Sequence, residues 1–414
     1  MTTTPSTDTR PYAGGLTRKQ VVAWRNAMFV IFALCGIGLA SWVSRVPAVR
    51  DALGASTLEM GVLIFGVALG SILGLLGSSH VIARLGARRT MALCFTIGPA
   101  GFIVAGLGAS FGPSAVVVFI GLTVFGAGLS ICDVAMNVSG AANERVLRKT
   151  IMPIYHAFFS FGTMIGAGLG AVAELLDIPI FIHIAVVSLL MFAGAQLALR
   201  HLQSEHLIDG AEPASADDHA STWRDRLSIW RDPRTLLIGL IVLGMAFAEG
   251  SANDWLALAM VDGYGVDNAT GAILFGVFVT AMTVGRLAGV AVLDRFGRVP
   301  VLRGSAVLAI LGLVLVIFSP TWQLAVVGIV VWGLGSALGF PVGMSAAADD
   351  PKTAAARVSA VATIGYCAFL IGPPAIGLLG EHFGLLNALL VVLVLVVGAG
   401  LASGAAREPR TLVP

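Results

Sequence analysis

Long apolar runs separated by short polar turns cover nearly the whole chain. A run of about 20 apolar residues has the length that crosses the hydrocarbon core of a bilayer as a helix. Membrane-spanning strands would instead alternate apolar and polar residues over segments of about ten. The pattern therefore predicts an all-α membrane protein with twelve transmembrane helices, named spans 1 to 12. In chain order the predicted spans are 22–44, 57–79, 89–109, 114–140, 151–174, 179–200, 235–260, 269–292, 299–319, 322–346, 357–380 and 384–405.

The composition excludes an ordinary soluble domain. The 414 residues are 57% hydrophobic and only 12% charged, with a mean hydropathy of +0.92, whereas soluble domains are about 25% charged. The net charge of +2 gives no sign of a nucleic-acid partner. Cys35, Cys94, Cys132 and Cys367 lie in apolar runs without metal-ligand spacing, and the chain has no nucleotide-binding loop. We therefore expect no cofactor, no metal and no enzymatic activity.

The lysines and arginines orient the predicted spans, because positive residues collect on the cytoplasmic side of membrane helices. With both termini in the cytoplasm, 23 of the 25 Lys and Arg residues fall on that side, Arg286 among them. Only Arg45 and Arg50 fall outside. We therefore expect both termini in the cytoplasm.

The longest polar stretch divides the spans into two sets of six. We expect a cytoplasmic tail at 1–21, a six-helix bundle at 22–200, a cytoplasmic linker at 201–233, a second bundle at 234–405 and a tail at 406–414. In the linker, Trp223, Leu227 and Trp230 share one helical face among charged residues. This spacing is typical of a short helix on the inner membrane surface, and a solvated turn is the alternative.

The two halves repeat each other. A charged turn follows span 2 as Arg84-Leu-Gly-Ala-Arg-Arg89 and follows span 8 as Asp294-Arg-Phe-Gly-Arg298. A tryptophan stands near the outer end of span 1, as Trp42, and of span 7, as Trp255. Internal repeats with a central binding site are a common design of secondary transporters.

The turn at 294–298 resembles the signature loop of the major facilitator superfamily, and the resemblance extends over nearly the whole chain. It implies two pseudo-symmetric six-helix bundles that carry a small-molecule substrate, and we expect a monomer in the lipid bilayer. It also implies a cytoplasmic latch at Asp294 and Arg295, repeated at Arg84 in the first half, where Ala83 replaces the acid. The alternative is that these are ordinary charges of cytoplasmic loops.

Span 4 resembles the fucose-permease branch of that superfamily, in which a Gly-x-Gly precedes an acid and then an asparagine four residues later. Gly126, Gly128, Asp133 and Asn137 match this pattern. The resemblance implies that Asp133 couples protons to transport and that the substrate is sugar-like. The chain departs from it because valine replaces the proline after the asparagine, and because the first span lacks the second acid of that branch. Similar bacterial members lie in the inner membrane, where we expect this chain.

Ionisable residues inside the membrane are functional candidates, since each costs roughly 2.5–3.5 kcal/mol on insertion scales. Asp133 and Asn137 share one helix face, and an antiparallel turn between spans 4 and 5 would put His156 level with Asn137. In this arrangement His156 binds substrate, relays a proton or holds Asp133 in place. The alternative is a polar residue satisfied by packing near the inner interface.

Span 7 contains a second set of polar residues. Glu249 lies near the midplane and is the second proton-coupling candidate, and Asn253 shares its face as a substrate-binding candidate. Asp254 points elsewhere and is a candidate outer gate with Arg45. The alternative for this pair is two independent interfacial charges.

Aromatic residues and glycines complete the candidate features. Trp42 and Trp255 are candidates to stack on a sugar ring, although interfacial anchoring is the commoner role of membrane tryptophans. Tyr366 in span 11 is a further substrate-binding candidate. Glycines recur every fourth residue in spans 2, 5 and 10, which predicts close helix packing.

These features predict secondary active transport of a small polar solute, by proton symport with alternating access of the two bundles. A proton-coupled efflux antiporter and an uncoupled facilitator share the expected fold and stay open as alternatives. Drug-efflux members of the superfamily carry a Gly-Pro signature in span 5, which this chain lacks. A membrane-embedded enzyme or sensor has no supporting motif.

Overall fold

The computed structural model describes residues 12, 15–149, 151–203, 229–349 and 353–408, and nearly all of them are helical. Spans 1 and 4 to 6 are Arg18–Val43, Ala115–Leu147, Met152–Leu175 and Ile180–Leu199. Spans 7 to 9 are Pro233–Tyr264, Asn268–Phe296 and Arg298–Phe318. Span 10 consists of Trp322–Ser336 and Gly339–Ala347, and spans 11 and 12 are Ala354–Phe383 and Leu385–Ala402. A short helix, Val46–Leu53, follows span 1.

Spans 2 and 3 form one continuous stretch, Thr57–Ser110, of 54 residues. At about 1.5 Å per residue such a stretch is far longer than the ~30 Å hydrocarbon core. Gly86 interrupts it with a φ of 74° and a ψ of 160°, a left-handed conformation that glycine adopts without strain. The described residues contain eleven candidate membrane-spanning helices when this stretch is counted once, and the break resolves it into two. The expected all-α, multi-pass membrane fold is confirmed.

Residues at the helix ends explain where spans 7 and 8 begin. Asp232 precedes span 7 and accepts hydrogen bonds from the Thr235 N–H at 3.1 Å and the Thr235 hydroxyl at 2.7 Å. Partial desolvation alone would raise the pKa of Asp232, but these bonds and the guanidinium of Arg357 lower it. Asp267 caps span 8 by accepting from the Thr270 N–H, which lowers the pKa of Asp267.

The described chain forms two compact units, and the first comprises described residues within 1–40, 66–166 and 181–216. Its helices approach closely at glycines. A Cβ added at Gly74 would lie 2.6 Å from the Ala127 carbonyl oxygen, and one at Gly166 would lie 3.0 Å from the Ile37 Cα. These glycines belong to the predicted rows in spans 2 and 5, so the predicted packing role is confirmed for both rows.

The second unit comprises described residues within 41–65, 167–180 and 217–414. Span 7 lies at its centre and packs against spans 8, 11 and 12, and span 9 packs against span 10. The short helix Val46–Leu53 packs against spans 7 and 8. The second unit therefore contains the segments between spans 1 and 2 and between spans 5 and 6 as well as the second half. The predicted bundles at 22–200 and 234–405 stay predictions.

The predicted linker is described only at its ends. Residues 204–228, with Trp223 and Leu227, lie outside the described residues, and so do most of the predicted tails. Trp230 is described and is 41% exposed. The predicted surface helix therefore stays a prediction.

Candidate functional site

Asp133 and Asn137 lie one turn apart on span 4, in the first unit. The Asn137 Nδ2 donates to the Asp133 backbone carbonyl at 2.8 Å and to its carboxylate Oδ1 at 3.3 Å. The Asp133 side chain is exposed and Asn137 is half-buried. Among the described residues no cation forms an ion pair with Asp133. The predicted shared face is present, and it presents a carboxylate whose one side-chain partner is a neutral amide.

His156 lies on span 5, where it is exposed. Its ring packs edge-on to the Phe32 ring, with centroids 5.3 Å apart, and its carbonyl accepts from the Ser160 hydroxyl at 3.3 Å. A Cβ added at Gly140 would lie 3.3 Å from the Tyr155 ring. Gly140 and Tyr155 therefore lie at the same depth, so the midpoint of the turn between spans 4 and 5 falls between residues 147 and 148. The residue at the depth of Asn137 is then 158, about half a helical turn from His156. The structure thus brings His156 near the expected depth.

A buried polar cluster near the same end of spans 1, 4 and 5 was not predicted. The Tyr155 hydroxyl donates to Asn143 Oδ1 at 2.7 Å, and Asn143 Nδ2 donates to the Val21 carbonyl at 3.2 Å. The Trp24 indole N–H donates to the Ser139 hydroxyl at 3.0 Å. All four side chains are almost completely buried, so these bonds fix the three helices to one another.

Glu249 forms an ion pair with Arg286 in the second unit. The Arg286 Nη2 lies 2.8 Å from Glu249 Oε1 and 2.9 Å from Oε2, so one guanidinium nitrogen bonds both carboxylate oxygens. Glu249 is 16 residues into span 7, roughly 24 Å at the helical rise. The expected depth of Glu249 thus agrees with its position, and the partner was not predicted.

The charge count places Arg286 on the cytoplasmic side, and the structure gives its depth. Arg286 lies inside the membrane-spanning segment Asn268–Gly289 and ten residues before the end of span 8, roughly 15 Å from it. An unpaired charge at this depth would be costly, and the ion pair with Glu249 offsets that cost. Side-chain exposures of 33% for Arg286 and 18% for Glu249 show that neither group is completely enclosed.

Asp254 and Arg45 do not pair with each other. Arg45 is 3% exposed, its Nε lies 3.2 Å from Glu174 Oε1, and its Nη2 donates to the Ile178 carbonyl at 2.8 Å. Asp254 is half-buried and its side chain has no hydrogen bond or ion pair among the described residues, and Asn253 beside it is likewise half-buried. Glu174, rather than Asp254, is the acid that faces Arg45.

The three aromatic candidates differ in their surroundings. Trp42 is 2% exposed and Trp255 is completely buried, so neither ring is accessible to a solute in this conformation. Their predicted stacking on a sugar therefore has no support in this conformation, because both indoles are enclosed by helix packing. Tyr366 on span 11 is 49% exposed and remains a candidate.

Charged residues also join the short helix Val46–Leu53 to spans 7 and 8. Arg50 forms an ion pair with Asp262, and Asn268 Nδ2 donates to Asp51 Oδ2 at 3.0 Å. The loss of hydration lowers the pKa of Arg50, but the hydrogen bond with Asp262, together with Asp51, raises it overall. These contacts were missed because the bonded partners, Arg50 with Asp262 and Asp51 with Asn268, lie more than 200 residues apart in sequence.

A second group of charged residues lies where spans 7 and 9 begin and span 10 ends, and Asp349 is at its centre. Its carboxylate is 6% exposed and bonds the guanidinium groups of Arg234 and Arg298. Arg298 is the last residue of the superfamily-like turn. Asp294 and Arg84 are exposed and form no ion pair among the described residues, and the Arg295 guanidinium lies 5.4 Å from the Phe296 ring centroid. The latch at Asp294 and Arg295 stays a prediction.

Comparisons with known proteins agree with this architecture. The family model described as Major Facilitator Superfamily matches residues 27–288 and 250–412. The chain is 30% identical over 373 residues to the uncharacterized transporter y4wD of Sinorhizobium fredii, covering 88% of this chain and 93% of that protein. It is 26% identical to the membrane protein MosC of Rhizobium meliloti, covering 90% and 87%.

Solved structures share the fold at lower identity. A mutant of the nucleoside transporter NupG has a TM-score of 0.73 at 16% identity, covering 94% of this chain and 100% of that one. The transporter FucP in its outward conformation has a TM-score of 0.63 at 14% identity, covering 94% and 100%. Since the family model spans nearly the whole chain and the relatives are transporters, this chain is a transporter of the major facilitator superfamily.

Proposed function

We propose that the chain is a proton-coupled symporter of a small polar solute, working by alternating access of its two halves as a monomer. Asp133 and Glu249 are the proposed proton-carrying groups. The proposed location is the bacterial inner membrane with both termini in the cytoplasm, in keeping with the distribution of lysines and arginines.

The observation that carries this proposal is the Glu249–Arg286 ion pair inside spans 7 and 8. Protonation of Glu249 removes the negative charge that Arg286 bonds, and the guanidinium then needs another acceptor. A hydroxyl or carbonyl oxygen of a solute supplies one. Proton binding and solute binding would thus favour each other, which is the requirement for symport.

Asp133 supports the proposal from the first half. An exposed carboxylate in a membrane span without a cation partner can take up and release a proton without breaking an ion pair. Asn137 holds the carboxylate through a neutral amide. His156 is the proposed neighbour for proton relay or solute binding, with Asn253 and Tyr366 as further solute ligands.

The solute class rests on fold-level similarity. The solved neighbours include a nucleoside transporter, a fucose:proton symporter and a xylose transporter. All three kinds of solute carry several hydroxyl groups, which fits a site with amides, acids and an imidazole. We therefore propose a sugar-like solute.

Charged contacts are the proposed gates. Arg50–Asp262 and Arg45–Glu174 are the proposed outer gate. Arg50–Asp262 joins the short helix after span 1 to span 7, and Arg45–Glu174 joins the end of span 1 to the end of span 5. Asp294, Arg295 and Arg84 are retained as a proposed inner latch. Asp254 is proposed as an acid that gains a partner in another conformation.

The experiment begins with a thermal-stability screen of the purified protein against sugars and nucleosides. Accumulation of a stabilising solute is then measured in proteoliposomes with an inside-alkaline pH gradient. Wild type should accumulate the solute, while Asp133→Asn and Glu249→Gln should lose accumulation and keep counterflow. Asp177→Asn is the matched control, since Asp177 is an exposed loop acid with a φ of 52°, which asparagine tolerates.

The same vesicles distinguish the alternatives. An efflux antiporter would accumulate solute when the lumen is acidic, and a facilitator would equilibrate solute whatever the gradient. Either result contradicts proton symport.

A further inference from the structure

A basic cleft lies between the ends of spans 3 and 6 that are predicted to face the cytoplasm. The cleft measures about 250 Å³ and belongs entirely to the first unit. It is lined by Arg88, Arg89, Ala92, Gln196, Leu199 and Arg200. Gln196 Nε2 donates to the Ala92 carbonyl at 3.3 Å, and this bond joins the two helices inside the cleft.

The cleft carries three positive charges without compensation. Within the described part of the chain, none of Arg88, Arg89 and Arg200 forms an ion pair. Three neighbouring guanidinium groups repel one another, and an anion between them relieves that repulsion. Guanidinium groups match the oxygens of a phosphate geometrically and bond two of them at once.

The surface next to the cleft is apolar and exposed. Arg89, Leu93 and Ile97 follow at i, i+4 and i+8 on span 3, and the two apolar side chains are 42% and 45% exposed. On span 6, Phe192 precedes Gln196 by one turn and is 41% exposed. The basic cleft is thus continuous with an apolar face, and a ligand with both a phosphate and acyl chains matches both parts.

We propose that this cleft binds the phosphate headgroup of an anionic phospholipid of the cytoplasmic leaflet, with its acyl chains along Leu93 and Ile97. Three arginines suit a headgroup with two phosphates, such as diphosphatidylglycerol, better than a headgroup with one. The bound lipid would bridge the ends of spans 3 and 6. The site is separate from Asp133 and Glu249, so its failure leaves the proposed transport function standing.

The test measures lipid binding to the purified full chain by native mass spectrometry. Diphosphatidylglycerol should bind more tightly than phosphatidylglycerol, and phosphatidylcholine should bind weakest. At about 1 kcal/mol per arginine near a membrane surface, Arg89→Gln/Arg200→Gln should weaken diphosphatidylglycerol binding about 30-fold. The control Lys149→Gln/Arg303→Gln removes two exposed cations outside the cleft and should change binding less than twofold.

A soluble phosphate is the competing source of the same chemistry. Inorganic pyrophosphate at millimolar concentration should not displace the lipid, because it cannot contact the apolar face. Displacement by pyrophosphate, equal binding of phosphatidylcholine, or equal loss in the control double variant would each overturn the proposal. If the double variant does not purify as a folded protein, Arg89→Gln alone should weaken binding about fivefold, and unchanged binding would overturn the proposal equally.

Discussion

The two halves of the transporter hold their membrane-embedded acids in different settings. In the first half, Asp133 is exposed and its side-chain partner is the amide of Asn137. In the second half, Glu249 is largely buried and bonds the guanidinium of Arg286 through both oxygens. Under the proposed symport, protonation of Asp133 would break no ion pair, whereas protonation of Glu249 would break the bond to Arg286. Similar helical repeats thus hold their membrane-embedded acids in unlike surroundings.

Breaking the second-half pair should have the largest effect on stability. Glu249→Ala leaves Arg286 uncompensated inside the membrane, and the free energy of unfolding should fall by roughly 3–5 kcal/mol. The double variant Glu249→Ala/Arg286→Ala removes both charges and should recover a large part of that loss. Denaturant unfolding in detergent measures both values. Arg286→Ala completes the cycle, and a double variant that loses the sum of the two single losses would show that the groups do not interact.

The ion pair between the short helix Val46–Leu53 and span 7 tests whether charged contacts of the second unit bias the conformation. Arg50→Gln removes the bond to Asp262, which is worth about 1 kcal/mol for a partly exposed pair. The outward-open population should rise about fivefold. The readout is the rate at which a membrane-impermeant maleimide modifies a cysteine introduced at Asn253, with Cys367 replaced by serine. A rate equal to that of Lys149→Gln would remove Arg50 from the gate.

Asp232 offers a smaller test outside the membrane, where the second-half architecture begins at span 7. Because the pKa of Asp232 is lowered in the folded protein, its stabilisation is present above the unfolded value near ~3.9. It is lost as the pH falls through the lower folded-state pKa. Asp232→Asn keeps a cap and should cost about 0.3–1 kcal/mol at neutral pH. Thermal unfolding should also lose its pH dependence in that acidic window, and an unaltered profile would contradict this role.

The smallest effect on stability is expected at Asp133. Asp133→Asn removes an exposed charge without a cation partner and should change the free energy of unfolding by less than about 0.5 kcal/mol. Transport should respond in the opposite way, with complete loss of pH-driven accumulation. A destabilisation as large as that of Glu249→Ala would erase the contrast between the two acids.

The positions of the membrane-spanning helices could be predicted from the sequence because hydropathy over about 20 residues is a local property. It also placed Asp133 and Asn137 on one face, since their spacing fixes that relation within a single helix. The glycine rows of spans 2 and 5 were likewise readable, because their repeat matches the helical period.

The ion pairs could not be predicted from the sequence, because they depend on contacts between helices that are distant in sequence. Arg286 was counted only as a cation of the cytoplasmic side, since a positive-inside count ignores depth, and its partner Glu249 lies on another span. Glu174 was not identified as the partner of Arg45 for the same reason. Trp255 was a candidate for solute contact because periodicity alone does not distinguish packing between helices from an open cavity.

Proton uptake by Glu249 with release of Arg286 is the step on which the proposed symport depends. Infrared difference spectroscopy of the reconstituted protein during acidification reports protonated carboxyl groups and guanidinium bonding together. Wild type should show a protonated-carboxyl band with a simultaneous shift of the arginine bands, and Glu249→Gln should remove both while Asp177→Asn keeps them. A carboxyl band and arginine shift that persist in Glu249→Gln would contradict proton uptake at this pair.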